Sequence, residues 1–141
     1  MEKDIFLSVT AKDINQQEEP VRLRTFGSFS CVDGEYRIRY SELDHNERES
    51  SQITLTMKDT LVTMRRKGIC SAELAFEKGY HFDGSYQTPL GEIAISILPT
   101  QVEYTVDQET AKGNINLQYH FEIGGHATAL HELDIEFHPK Q

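Results

Sequence analysis

Two pairs of side chains in this chain of 141 residues could do chemistry if the fold brings them together. The first is Arg66 with Glu42. An enclosed guanidinium demands an anion, because an unpaired buried charge costs several kcal/mol. Glu42 is the nearest carboxylate in the topology argued below. The two could close on each other as a structural ion pair. Alternatively Arg66, with the hydroxyls of Tyr40 and Tyr86, could meet the anionic head group of a small ligand. The second pair is Tyr119 with His131. A phenol and an imidazole facing each other across two strands could move a proton near neutral pH as acid and base, or pack as a hydrogen-bonded core pair. No nucleophile or third orienting group accompanies them, so no catalytic residue is assigned and the chain is expected not to be an enzyme.

The remaining histidines, His45, His81, His120, His126 and His138, show no tight metal-ligand spacing. There is no phosphate loop, dinucleotide fingerprint, nucleophile elbow or paired-cysteine motif, and the Gly124-Gly125 doublet is accounted for by a turn. No metal and no cofactor are expected.

Net charge is −9, which repels phosphate backbones and anionic lipid. Arg22 with Arg24, Arg37 with Arg39, and the run Arg65-Arg66-Lys67 are scattered among acids along the chain, so neither nucleic acid nor a membrane is an expected partner. Tyrosines alternate with arginines over 36–40, but an inward Tyr and an outward Arg make core packing the better reading than base stacking. Cys31 and Cys70 could form one bridge, yet two thiols without a secretory leader suit a reducing compartment. No segment approaches the ~20 apolar residues of a membrane span. The expected address is the cytoplasm.

The elements that must hold these residues are strands. Apolar and polar residues alternate at Ile5-Leu7-Val9-Ala11, over 21–32, at Tyr36-Ile38-Tyr40, at Ile53-Leu55-Met57, and at Val62-Met64-Arg66. The pattern continues at Ala72-Leu74-Phe76, Tyr80-Phe82-Tyr86, Ile93-Ile95-Ile97, Val102-Tyr104-Val106, over 115–123, and at Leu133-Ile135-Phe137. About eleven short strands result, at the spacing of a sandwich or barrel. Polar loops are expected over 15–20 and 43–51, a break at Pro99-Thr100, and a loop or one helical turn over 107–112.

Turn chemistry fixes registers, because a one-residue slip turns every apolar side chain outward. Asp33-Gly34 sets Cys31 opposite Tyr36 and Phe29 opposite Ile38; Asp59-Thr60 sets Met57 opposite Val62 and Ile53 opposite Arg66. A three-residue loop, Gly124 to His126, sets Ile123 opposite Ala127, Tyr119 opposite His131, and Leu117 opposite Leu133. A succession of hairpins leaves two open edges unless the sheet curls shut, which favours one antiparallel up-and-down β-barrel over the rival sandwich. That barrel is one domain over 1–141. Parity then turns Glu42, Arg66, Tyr86 and Thr88 inward at one rim, and Tyr104, Tyr119 and His131 inward lower down.

The order Asp33-Gly34-Glu35-Tyr36 to Tyr40-Ser41-Glu42, then Arg66-Lys67-Gly68, Phe76-Glu77-Lys78-Gly79, Tyr86-Gln87-Thr88-Pro89-Leu90-Gly91 and Gly113 to Tyr119 resembles the YwiB family. The resemblance spans nearly the whole chain. Its most specific piece is Tyr86, Thr88, Pro89 and Gly91 following Phe76-Glu77. It implies a small bacterial domain of unknown function with a calycin-like, lipocalin-type all-β barrel, and it carries no assigned active site. The expectation is a non-enzymatic module that binds a small, partly apolar or anionic molecule inside the barrel, using Arg66, Glu42, Tyr40, Tyr86, Tyr104, Tyr119 and His131. The alternative is an interaction or assembly module acting through its outer surface, as a homodimer for example.

Overall fold

The period-two pattern folds as ladders throughout. A computed structural model describes residues 2–14, 19–43 and 48–140. The centres of two expected polar loops, 15–18 and 44–47, and with them His45, lie outside the described residues. The strands are β1 (Glu2–Asp13), β2 (Val21–Val32), β3 (Glu35–Leu43), β4 (Glu49–Lys58), β5 (Leu61–Gly68), β6 (Ala72–Glu77), β7 (Phe82–Thr88), β8 (Gly91–Asp107), β9 (Lys112–Ile123) and β10 (His126–Pro139). They form one antiparallel sheet in the order β6-β5-β4-β3-β2-β1-β10-β9-β8-β7. No helix is long and apolar enough to cross a membrane.

The sheet curls into a nearly closed, calycin-like barrel whose two end strands, β6 and β7, meet at a seam. Ser71 and Gln87 exchange both backbone hydrogen bonds there, at 2.9 and 2.8 Å. Inside, Ile5, Leu7, Ile38, Leu55, Met57, Ile97, Ile115, Leu117 and Ile135 are wholly buried, so the middle of the barrel is a packed apolar core. Burying aliphatic side chains of this size stabilises the fold by about 1.5–3 kcal/mol each. Gly27 and Gly113 leave no room for a side chain: an added Cβ would strike the carbonyl oxygens of Arg39 and Thr105 and the side chains of Leu7 and Phe137.

The registers across Asp33-Gly34 and Asp59-Thr60 are those the turn chemistry predicts. Asp33 and Gly34 both take positive φ, 52° and 79°, as a type I′ turn requires. Three expectations are corrected. Pro99-Thr100 does not separate two strands, so the described residues form ten strands and not eleven. β7 stops pairing at Phe82 opposite Ile97, so the missing N–H of Pro99 falls where β8 has no β7 neighbour, and Thr100 is absorbed as a bulge.

The β9–β10 loop is Gly124-Gly125 alone, with φ of 58° and 81°, and Ile123 faces His126. A register shift between Ala127 and Leu130 restores parity, so Tyr119 still faces His131 and Leu117 still faces Leu133. The polar stretch expected to run to Ser51 ends earlier, since β4 begins at Glu49 and Ser51 is buried.

Odd strands end and even strands begin at one rim, the upper one. Cys31 sits at the opposite end from Cys70, which lies in the β5–β6 turn; both are free thiols.

Candidate functional site at the barrel mouth

β3 carries Tyr40 and Glu42 toward the upper rim, and β5 carries Arg66 to the same level two strands away. Ile53 of β4 is the register partner of both Tyr40 and Arg66. Arg66 Nη1 donates to Glu42 Oε1 in a close ion pair. The two side chains keep 25% and 30% of their exposure, so the pair stands at the mouth and not in the sealed core.

Three tyrosines surround it. Burial holds the Tyr40 phenol well above its ordinary value; Glu42 adds to the rise and Arg66 opposes it. Burial raises Tyr86 as well, against the pull of Arg66, with smaller upward contributions from Cys70 and Glu42. Tyr119 is pushed up to about 12, again chiefly by burial and then by Tyr86, with Arg66 opposing. All three are therefore neutral O–H groups at physiological pH, able to donate to an oxyanion.

Tyr119 stacks on its register partner His131, with ring centroids 5.8 Å apart and planes 23° from parallel. Phe121 stands edge-on to His131 at 5.8 Å and against Tyr86 at 6.4 Å, while Phe76 meets Tyr119 edge-on at 5.1 Å. These rings make an aromatic floor beneath the charged pair.

Arg66 also reaches the outer side of the seam. A cleft of about 520 Å³ beside Arg66 is bordered by Arg65, Lys67, Ser71, Ser85 and Gln87. The rim above it carries exposed apolar side chains at Ile69, Ile93 and Leu90, the last 99% exposed at the β7–β8 turn.

Of the residues singled out from sequence, Arg66, Glu42, Tyr40, Tyr86, Tyr119 and His131 come together. Tyr119 and His131 belong to the Arg66 neighbourhood and not to a separate lower layer, because the Tyr119 phenol feels both Arg66 and Tyr86. Tyr104 does not join them. It lies toward the other end, where its hydroxyl donates to the Asp59 carbonyl at 2.7 Å and its ring meets Tyr36 at 6.3 Å. Thr88 also plays another part: its hydroxyl donates to the Gly91 carbonyl and accepts from the Leu90 amide, which shapes the β7–β8 turn. Phe76, Phe121, Ser71 and Gln87 were missed. Parity would have placed both phenylalanines, whereas β6 and β7, though joined by a short turn in which Glu77 bridges Tyr80, form no continuous ladder, so the pairing of Ser71 with Gln87 could not be extended from that turn. Among the described residues, no three His, Cys, Asp or Glu side chains gather as metal ligands.

The chain matches the family described as a domain of unknown function, DUF1934, over residues 7–135. A search of the curated proteins finds no match. Among solved structures, the crystal structure of the ywiB protein from Bacillus subtilis has the same fold, with a TM-score of 0.84 at 21% identity, covering 99% of this chain and 94% of that one. By the extent of the family match, this chain belongs to the DUF1934 family, a group of YwiB-like barrels of unknown function.

Proposed function

We propose that this protein is a non-enzymatic binding module that takes a small, partly apolar anion at the mouth of its barrel. The carrying observation is Arg66, held by a single carboxylate, close enough to three neutral phenols to act on their ionisation, and bordering the 520 Å³ cleft at the seam. A ligand carboxylate or phosphate would accept from the guanidinium and from the tyrosine hydroxyls. Its apolar part would lie over the aromatic floor or along Ile69, Leu90 and Ile93 of the rim. The packed lower core favours this end over the middle of the barrel as the place of binding. The stacked geometry of Tyr119 and His131 supports a packing role for them in preference to acid–base chemistry.

The test is native mass spectrometry of gently purified protein, followed by thermal-shift screening of alkyl and aryl carboxylates and phosphates. Binding should raise Tm, and Arg66→Met should abolish the shift while the circular dichroism spectrum stays unchanged. No co-purifying molecule and no stabilising compound would end the proposal.

The alternative reading, a module acting through its outer surface as a homodimer, draws on the exposed Ile69, Leu90 and Ile93. Light scattering on the wild type and on Leu90→Ser separates the two: a dimer lost in the variant favours association through the rim, and an unchanged monomer favours ligand uptake.

A further inference from the structure

The cationic residues that look scattered along the sequence are gathered by register onto one outer wall. Outward positions run Arg37-Arg39-Ser41 on β3, Gln52-Thr54-Thr56-Lys58 on β4 and Thr63-Arg65-Lys67 on β5. These positions hold five Lys or Arg side chains, with Glu35 at the start of β3 as the carboxylate on the same face of these strands, in a chain of net charge −9. The opposite wall is the reverse. Outward positions from Ser96 to Thr105 on β8, Asn114 to Glu122 on β9 and Glu132 to Glu136 on β10 hold Glu103, Glu122, Glu132, Asp134 and Glu136 without a Lys or Arg. β4 and β9 stand half a turn apart in the strand order, so the barrel is electrically polarised from side to side.

The cationic wall is also concave. A cleft of about 480 Å³ is lined by Arg37, Arg39, Thr54, Thr56, Thr63 and Arg65, and extends across β6, where Glu73 is its one carboxylate, toward Phe82. That is the size of a small-molecule site and too confined for the flat wall of a second barrel. Arg39, Thr54 and Arg65 share one cross-strand row, and Arg37, Thr56 and Thr63 the next. Along β3 the two arginines are about 7 Å apart, and across β4 Arg39 and Arg65 are about 10 Å apart at their backbones, distances that long side chains close around one multivalent anion.

Arg39 has no ion-pair or hydrogen-bond partner among the described residues. The partners of Arg37 and Arg65, Glu35 at 3.2 Å and Glu73 at 3.3 Å, form exposed pairs that an incoming anion can displace. Thr56 and Thr63 hydrogen-bond to each other through their hydroxyls. In such a pair one hydroxyl donates to the other, leaving one proton free to donate outward.

We propose that this wall is a second ligand site, centred on Arg37 and Arg39 and touching the mouth cleft only at its Arg65 edge, that binds a multivalent oxyanion of the phosphate-ester or short-polyphosphate class. Forked guanidinium donors and threonine hydroxyls match the several acceptor oxygens of such groups. The outward positions of these three strands carry no aromatic ring, and the cleft's one aromatic residue, Phe82, stands at its far end across β6, not in the interleaved row of rings that a single-strand nucleic-acid platform uses.

Titration calorimetry with sodium tripolyphosphate, using inorganic phosphate as the weaker monovalent-group comparison, tests this directly. The wild type should bind saturably at one site, more tightly than it binds phosphate. The double variant Arg37→Gln, Arg39→Gln, whose residues border the wall cleft and not the mouth cleft, should lose about tenfold or more in affinity, whereas Arg66→Met should stay within about twofold of the wild type. Both substitutions of the double variant are on the exposed wall, and circular dichroism checks that it folds. Thr56→Val should weaken binding as well. The proposal is overturned by an absence of saturable tripolyphosphate binding, by unchanged affinity in the double variant, by a loss with Arg66→Met as large as with the double variant, or by binding of a single-stranded oligonucleotide without binding of tripolyphosphate.

Discussion

Arg66 and Glu42 lie 24 positions apart in sequence and on strands separated by β4, yet they form one ion pair at the upper end of the barrel. The pairing follows from two hairpin registers in succession, which bring both side chains inward at the same level. Each charge is three-quarters or less withdrawn from water, so its partner offsets a real desolvation cost. Glu42→Gln and Arg66→Met should each lower stability by about 1–3 kcal/mol, below the range for fully enclosed pairs because water still reaches this one. The double variant Glu42→Leu, Arg66→Met should recover most of that loss. Urea denaturation of the four proteins measures the coupling, and strictly additive losses would show that the pair contributes nothing as a pair.

Alkaline behaviour should report the buried phenols. The folded-state pKa of Tyr119 is raised to about 12, and those of Tyr40 and Tyr86 are raised as well, all chiefly by burial. A raised value means the folded state holds the proton more tightly than the unfolded chain. The associated stability is therefore complete below about pH 10, the unfolded phenol value, and is lost as pH rises through the folded one. Urea midpoints should fall steeply between about pH 10 and 12, and Tyr119→Phe should make the decline shallower. A tyrosinate absorbance titration in which Tyr119→Phe removes an early-ionising component would contradict this ordering.

On the outer wall of β9 and β10, Glu132 should shape the acid limb. Burial alone would raise its pKa, but hydrogen bonds from Asn116, Lys12 and Gln118, with the Lys12 charge, outweigh that and hold it low. Asn116 Nδ2 and Gln118 Nε2 donate to Glu132 Oε2 at 3.2 and 3.0 Å, and Lys12 pairs at 3.2 Å. With the folded value depressed, this stability is present above the unfolded pKa and is lost as pH falls through the folded one. Glu132→Gln should cost about 1 kcal/mol at pH 7 and little at pH 3. Chemical denaturation at the two pH values provides the check; equal losses at both would assign the effect to packing.

The fold was legible because alternation is a direct record of which side of a wall a residue faces. Phe29 opposite Ile38 and Met57 opposite Val62 stand in the registers their turns predict, and Tyr119 stands opposite His131 as the apolar parity of their strands requires. The Gly124-Gly125 loop shows the limit of that reasoning. Parity demanded an odd offset, and the chain supplies it by a bulge past Ala127 instead of a third loop residue, two solutions that leave the same trace in hydrophobic pattern. Depth along the barrel was less legible than facing. Strand tilt sets which inward residues share a level, and the β6–β7 turn joins the two end strands without a continuous ladder that would fix their register. That is why Tyr119 and His131 join Arg66 while Tyr104 does not. The same blindness hid the cationic wall, whose members meet only when β3, β4 and β5 are laid side by side.

The seam should be the first part of the barrel to open. The middle of the sheet, β1 between β2 and β10, is laddered on both sides over nearly its full length. β6 and β7 are laddered on one side only, and between them the backbone bonds are those of Ser71 with Gln87 and of Tyr80 with Glu77. Amides of β6 and β7 that face the seam should therefore exchange hydrogen with solvent orders of magnitude faster than those of β1, which should require global unfolding. Gln87→Pro sharpens the test. The Gln87 N–H points at the Ser71 carbonyl across the seam, so proline removes that bond and leaves the β7–β8 ladder bonds in place. The expected cost is about 1–2 kcal/mol, with exchange accelerated in β6 and β7 and unchanged in β1 and β10. Because Gln87 and Ser71 border the cleft that contains Arg66, the same variant should also speed ligand exchange at the mouth. Uniform acceleration across all ten strands would mean that the seam opens only when the whole barrel does.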